Sequence, residues 1–230
     1  MSNVVGGWDA QSVARRIQHT LIRTGATDAE IEAHCRECLE YGFDAAMVAG
    51  YAVPLARSVL AGSGVKIAAA LDFPIHQMTT AGKVAEAREL AALGVDEIDV
   101  LPNIGWLRSG RPDDYVEDLR RVVEAVRPAA VKVMLELPLL TADEQQKAID
   151  LSVEAGATWL KNASSSAVEV ASPDSIRSLR SRSPDGVRIK ASGGIKSFDQ
   201  AVALLEAGAD LLGSSAGIAI VTGAADGVSY

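Results

Sequence analysis

Two lysines lie near the ends of short apolar runs. Trp159-Leu160-Lys161 leads into Asn162-Ala163-Ser164-Ser165-Ser166, and Val187-Arg188-Ile189-Lys190 leads into Ala191-Ser192-Gly193-Gly194-Ile195-Lys196. A lysine delivered onto small polar residues can attack a carbonyl, provided its amine sheds a proton. Strand-end lysines also serve in structural ion pairs, because lysine is rarely buried without a partner. The residues after each lysine favour chemistry: paired glycines ahead of a helix let backbone N–H groups approach a phosphate, and the helix start adds a favourable dipole. Gly213-Ser214-Ser215-Ala216-Gly217 offers a second such stretch.

The elements that must position these residues alternate short apolar runs with longer amphipathic ones. Residues 44–49, 66–71, 97–102, 131–137, 158–163, 187–191 and 211–214 read as strands, with a weaker eighth at 19–22. Thr79–Leu93 closed by Gly94, Thr141–Ala155 closed by Gly156 and Ser197–Ala207 closed by Gly208 read as helices with cap signals at both ends. This order implies an α/β fold with a parallel sheet under helices. Eight units would close as a barrel; seven or fewer would favour an open doubly wound sheet.

Alternate strand side chains face opposite ways. Lys66, Ala68, Ala70 and Asp72 therefore share a side, as do Glu97 and Asp99; Lys132, Met134 and Glu136; Trp159 and Lys161; and Arg188, Lys190 and Ser192. The other sides, including Ile67, Ile98, Val131, Val133, Leu160 and Ile189, are apolar and should face helices. Lys66 and Lys132 begin their strands, at the stability end. Asp72, Asp99, Glu136, Lys161 and Lys190 lie towards the carboxyl ends, where barrels place their chemistry.

Composition narrows the class. The 230 residues are 48% hydrophobic, with a formal charge of −8, enough for a sizeable core and unsuited to a nucleic-acid surface, which needs clustered Lys and Arg. No apolar run approaches the roughly 20 residues of a membrane span, and residues 1–8 do not read as a secretion signal, so no membrane partner and a cytoplasmic location are expected. Cys35 and Cys38 share a helix face with Ile31 and read as packing residues rather than a redox pair or metal ligands. His19, His34 and His76 are scattered without ligand spacing: His34 reads as a surface helix residue, His19 as structural, and His76 as a substrate-contact candidate on a barrel-top loop. Neither Gly-x-Gly-x-x-Gly nor a Walker A pattern is present, and no linker divides residues 1–230, which are read as one domain.

From Gln18-His19-Thr20-Leu21 to Gly217 the sequence resembles deoxyribose-phosphate aldolase. The matching pieces are Phe73-Pro74, Glu97-Ile98-Asp99-Val100 with Asn103-Ile104-Gly105, Val131-Lys132-Val133-Met134-Leu135-Glu136, Lys161, Lys190-Ala191-Ser192-Gly193-Gly194-Ile195 and Gly213-Ser214-Ser215. The resemblance implies a single (β/α)8 TIM barrel with a short N-terminal helical extension, and it makes the 19–22 run the first strand. It also implies a metal- and cofactor-independent class I aldolase of carbohydrate catabolism, which reversibly cleaves 2-deoxy-D-ribose 5-phosphate to acetaldehyde and glyceraldehyde 3-phosphate. Lys161 would form the Schiff base, Lys190 would favour its uncharged amine by charge repulsion, and Asp99 would move protons through a water. Ser164, Ser165, Gly193, Gly194, Lys196, Gly213, Ser214 and Ser215 would hold the phosphate, Tyr230 could assist from a mobile tail, and a homodimer is the expected assembly.

The departures cluster at the phosphate end. Asn162-Ala163-Ser164-Ser165 stands where the family has Thr-Ser-Thr-Gly, Ala216 where a second serine is usual, and Gln18 where an N-terminal aspartate joins the site. These departures leave two alternatives: a Schiff-base aldolase or acyl transferase acting on another sugar or oxo-acid, and a non-catalytic barrel that binds sugar phosphates.

Overall fold

Strands too apolar to expose either face pair in parallel and close on themselves, so that no sheet edge is left. The computed structural model describes residues 5–73 and 77–224. The strands are β1 (Ile17–Leu21), β2 (Ala45–Val48), β3 (Lys66–Leu71), β4 (Glu97–Val100), β5 (Ala130–Met134), β6 (Trp159–Lys161), β7 (Arg188–Ser192) and β8 (Leu211–Ser214), and β8 pairs back onto β1 to complete the barrel. Helices alternate with them: α1 (Ala10–Ala14) ahead of β1, then α2 (Asp28–Tyr41), α3 (Val53–Val59), α4 (Thr80–Leu93), α5 (Ile104–Arg108), α6 (Pro112–Val126), α7 (Ala142–Glu154), α8 (Pro173–Arg182), α9 (Phe198–Glu206) and α10 (Gly217–Thr222). Among the described residues no helix is long and apolar enough to cross a membrane.

The three sequence-predicted helices are α4, α7 and α9. Thr79, Thr141 and Ser197 cap their N-termini through side-chain oxygens, and Gly94 turns α4 off in the left-handed region. The side chains expected to face helices, Ile67, Ile98, Val131, Val133, Leu160 and Ile189 among them, lie in the main core between barrel and helices.

Inside the barrel the two halves differ. Ala45, Met47 and Ala68, from β2 and β3, make a separate small apolar cluster, whereas β1, β4 to β7 and Lys66 at the start of β3 direct polar and charged groups inward. Two expected inward carboxylates are not part of that set. Asp72 and Glu136 come after their strands with φ of 56° and 51°, which breaks the alternation. The Asp72 carboxylate accepts the N–H groups of Gln77 and Met78, and that of Glu136 accepts Ser164 N–H at 2.5 Å. Both tie loops together.

His34 is not on the surface. It is 4% exposed and stacks on His19 between α2 and β1, with ring centroids 4.5 Å apart. Cys35 and Cys38 are buried and unpaired, and burial pushes both thiols up, that of Cys35 to about 11. Outside the barrel wall, the buried Lys83 on α4 pairs with Asp118 on α6 at 2.7 Å and donates to Leu101 O at 3.0 Å. Removing one partner strands the other charge. Asp118→Ala should cost roughly 3–5 kcal/mol in urea denaturation, and the double change Lys83→Met with Asp118→Leu should recover most of it.

Candidate functional site

Adjacent strands place Lys161 and Lys190 as direct register partners on β6 and β7, with Met134 of β5 beside Lys161 and Lys132 beside Asp99 of β4. Both amines reach one oxygen. Lys161 Nζ lies 2.9 Å and Lys190 Nζ 2.7 Å from Asp99 Oδ2, and Lys132 Nζ lies 3.5 Å from Asp99 Oδ1. Lys190 also donates to Gln18 Oε1 at 2.7 Å.

Below this cluster Lys132 pairs with Glu97, which accepts from Gln18 Nε2 at 2.6 Å and pairs with Lys66 at 3.0 Å; Lys66 in turn holds Asp44. Lys132, assigned by strand position to the stability end, is fully buried within the cluster. Its inward parity was the available signal.

Burial alone would raise the Asp99 carboxyl, but the ammonium groups of Lys161, Lys190 and Lys132 overcome it and hold the group far below the carboxylate range. Burial likewise opposes ionisation of Glu97, and Lys132 with Gln18 and Lys66 brings it down to about 2. Lys190 moves the other way. Burial lowers it to about 7, aided by Lys161 and Lys132 and opposed by Asp99. Lys161 is among the groups that disfavour the Lys190 cation, so each of the two amines lies in the other's field.

A cavity of about 320 Å³ opens above the amines, lined by Asp99, Lys161 and Lys190 at its floor. Ser164, Ser165, Gly193, Gly194, Lys196, Gly213, Ser214 and Ser215 all line it, so the strand-end loops do bring the expected residues together. Thr20, Arg23, Met47 and Ser166 join them without having been singled out. Arg23, which ion-pairs with Glu30, lies just past the strand whose sequence signal was weakest.

Three of the expected phosphate contacts have other duties. The Ser214 hydroxyl donates to Ile195 O at 2.7 Å and accepts from Ala216 N, so its proton is committed. Gly213 makes room: a Cβ there would press on Lys190 Cε. The N–H groups of Lys196 and Ser197, at the start of α9, are taken by Gln200 Oε1. Asn162, the residue that departs from the family, is fully buried and bonds both the N–H and the carbonyl of Ser192, which ties β6 to β7 at the cavity edge. His76 and Tyr230 lie outside the described residues.

The grouping of metal-type ligands found among the described residues is His19, His34 and Glu37. His19 and His34, scattered in sequence, thus meet in space, but behind the barrel wall. The rings stack with planes 26° apart, and burial, with His19, lowers His34 to about 3. The two rings pack on each other, and His19 Nε2 lies 3.1 Å from Glu37 Oε2.

No family model matches the chain. A deoxyribose-phosphate aldolase from Methanocella arvoryzae is 39% identical over 222 residues, covering 96% of this chain and 99% of the relative. One from Dictyoglomus turgidum is 36% identical over 211 residues, 92% and 96% of the two chains. A solved structure described as the unique tetrameric structure of deoxyribose phosphate aldolase from Aeropyrum pernix superposes with a TM-score of 0.83 at 30% identity, covering 92% of this chain and 90% of that one.

The cavity rim depends on the backbone of Gly193, whose φ is 108° and whose added Cβ would overlap the Glu169 carbonyl oxygen. Gly193→Ala should cost about 1–3 kcal/mol from backbone strain, and should speed amide exchange in residues 165–171 while leaving the α4–α6 region unchanged.

Proposed function

The chain belongs to the deoxyribose-phosphate aldolase family, and from that premise we propose that it is a class I aldolase cleaving 2-deoxy-D-ribose 5-phosphate reversibly to acetaldehyde and glyceraldehyde 3-phosphate. The carrying observation is that two buried lysines share one carboxylate oxygen on the floor of a cavity.

Lys161 is the proposed nucleophile. Its uncharged amine adds to the aldehyde carbon of the open-chain sugar, and loss of water leaves an iminium. Removal of the C3 hydroxyl proton lets the C2–C3 bond break, with its electron pair drawn into the iminium. The phosphorylated aldehyde leaves and an enamine remains. Protonation of the enamine carbon and hydrolysis of the resulting imine release acetaldehyde and restore the amine.

Lys190 and Asp99 are the proposed proton carriers. A lysine poised near pH 7 can hold or yield a proton at working pH, and both amines touch the same carboxylate oxygen, which offers a short path between them. Asp99 itself is a poor base, because the lysines around it hold its carboxyl far below the usual range. Its first task in this scheme is to keep Lys161 and Lys190 together.

The phosphate is assigned to the rim of Ser164, Ser165, Gly193, Gly194, Ser215 and Lys196, with Ser214 supporting the loop. These residues line the side of the cavity formed by the β6, β7 and β8 loops. No metal or cofactor enters the scheme. The closed barrel acts in it as one catalytic domain. A homodimer is the proposed assembly, since twofold assemblies are the commonest closed ones, and cytoplasm is the proposed compartment, which suits two unpaired thiols.

Sodium borohydride added with acetaldehyde or deoxyribose 5-phosphate should fix an adduct that peptide mass mapping finds on Lys161, and Lys161→Met should retain the fold while losing at least about a thousandfold in kcat. A fully active enzyme with Lys161 unmodified would refute the assignment.

A further inference from the structure

The charged cluster inside the barrel does not balance. Its cations are Lys66, Lys132, Lys161 and Lys190, and its anions Asp44, Glu97 and Asp99. With every group ionised these ion-paired groups sum to one net positive charge; Lys66 is partly exposed, and the buried Glu136 carboxylate, tied to Ser164 N–H, acts on Lys161 from outside the network. An unbalanced buried charge is costly, and a lysine relieves it by giving up its proton.

Gln18 occupies the position that decides this balance. Its Nε2 donates to Glu97 at 2.6 Å and to Asp44 at 3.0 Å. Both partners are acceptors, so the amide cannot turn round without setting oxygen against carboxylate. Oε1 must therefore face Lys190, which donates to it at 2.7 Å. Gln18 is fully buried. It gives Lys190 a hydrogen-bond acceptor and no charge.

We infer that Gln18 is a positioning residue that, by meeting Lys190 with an uncharged oxygen where a carboxylate would fit, leaves the Lys161 and Lys190 pair holding a single proton at neutral pH. The other groups facing Lys190 are Asp99 from β4, Lys132 from β5 and Lys161 from β6, while β8 presents Gly213. Asp99 is the carboxylate that touches Lys190, while Glu97 is held by Lys132, Lys66 and Gln18, so position 18 is where a second charge would reach Lys190. The shared Asp99 oxygen lets the one proton sit on either amine, and its residence on Lys190 frees Lys161. The catalytic consequence rests on the aldolase reading, whereas the charge argument does not.

Gln18→Glu adds a carboxylate, and Gln18→Met keeps the length while removing the acceptor. The acid limb of kcat/KM for deoxyribose 5-phosphate cleavage should move up by about one pH unit or more in Gln18→Glu. In Gln18→Met it should stay near neutral or below while kcat falls. A limb unmoved by glutamate, or raised equally by methionine, overturns the inference.

Unfolding supplies a readout free of turnover. A lysine with a folded affinity below its unfolded one contributes stability that is present above the unfolded value near 10.5 and lost as pH falls through about 7. The wild-type urea midpoint should therefore rise between about pH 7 and about pH 9, and Gln18→Glu should flatten at least about half of that rise. Equal slopes in the two proteins overturn the inference whether or not the chain cleaves the sugar phosphate. If the glutamate variant does not fold, Gln18→Asp carries the same added charge and the same two expectations.

Discussion

Keeping lysines inside a barrel is the constraint on which the rest of this structure turns. An ammonium removed from water is destabilising unless an anion and further acceptors meet it. Asp99 meets two lysines through one oxygen and faces a third with the other, and Glu97 supports Lys132 and Lys66 beneath it. These groups come from β3, β4, β5, β6 and β7. A closed barrel brings them to one axis, because each strand turns alternate residues inward and the shear between strands sets the height at which they meet.

The same constraint explains the small residues. Long lysine stems need volume, and the interior supplies it by contrast: Ala45 and Ala68 occupy the opposite wall, and Gly213 leaves the space that Lys190 Cε fills. Gly213 looked from sequence like part of a phosphate loop. Its lack of a Cβ is as well explained by the neighbouring strand's lysine, while it still borders the cavity. Gly193 and Gly194 answer a different demand, since both adopt positive φ beneath the segment carrying Glu169 and Val170.

Where periodicity governed, the sequence was readable. Parity put Asp99, Lys132, Lys161 and Lys190 on the inner face, and cap residues marked α4, α7 and α9. Where a backbone left the strand, parity lost its meaning: Asp72 and Glu136 each sit just past their strand in a left-handed conformation, and their carboxylates satisfy loop N–H groups. No residue in the sequence signals that turn. His34 was misread because α2 is polar on average, whereas burial of His34 depends on the facing His19. The commitment of the Ser214 hydroxyl to Ile195 O is a contact between loops of different strands, invisible to any local pattern.

The proton economy of the proposed cycle is set by how the charges change as it proceeds. Before substrate arrives, Asp99 faces more positive charge than it can neutralise, which makes it a firm anchor and a weak base. Converting the uncharged Lys161 amine to an iminium adds a positive charge beside Asp99, spread over carbon and nitrogen of the substrate adduct, and enamine formation then removes it. At that point the cations around Asp99 fall by one and its basicity rises. A proton is therefore easiest to place on the lysine and carboxylate cluster as the enamine forms, and it becomes easier to withdraw as protonation of the enamine restores the iminium charge. Which group carries the proton at each stage is in this sense a property of the cluster's charge sum as much as of any single acid or base.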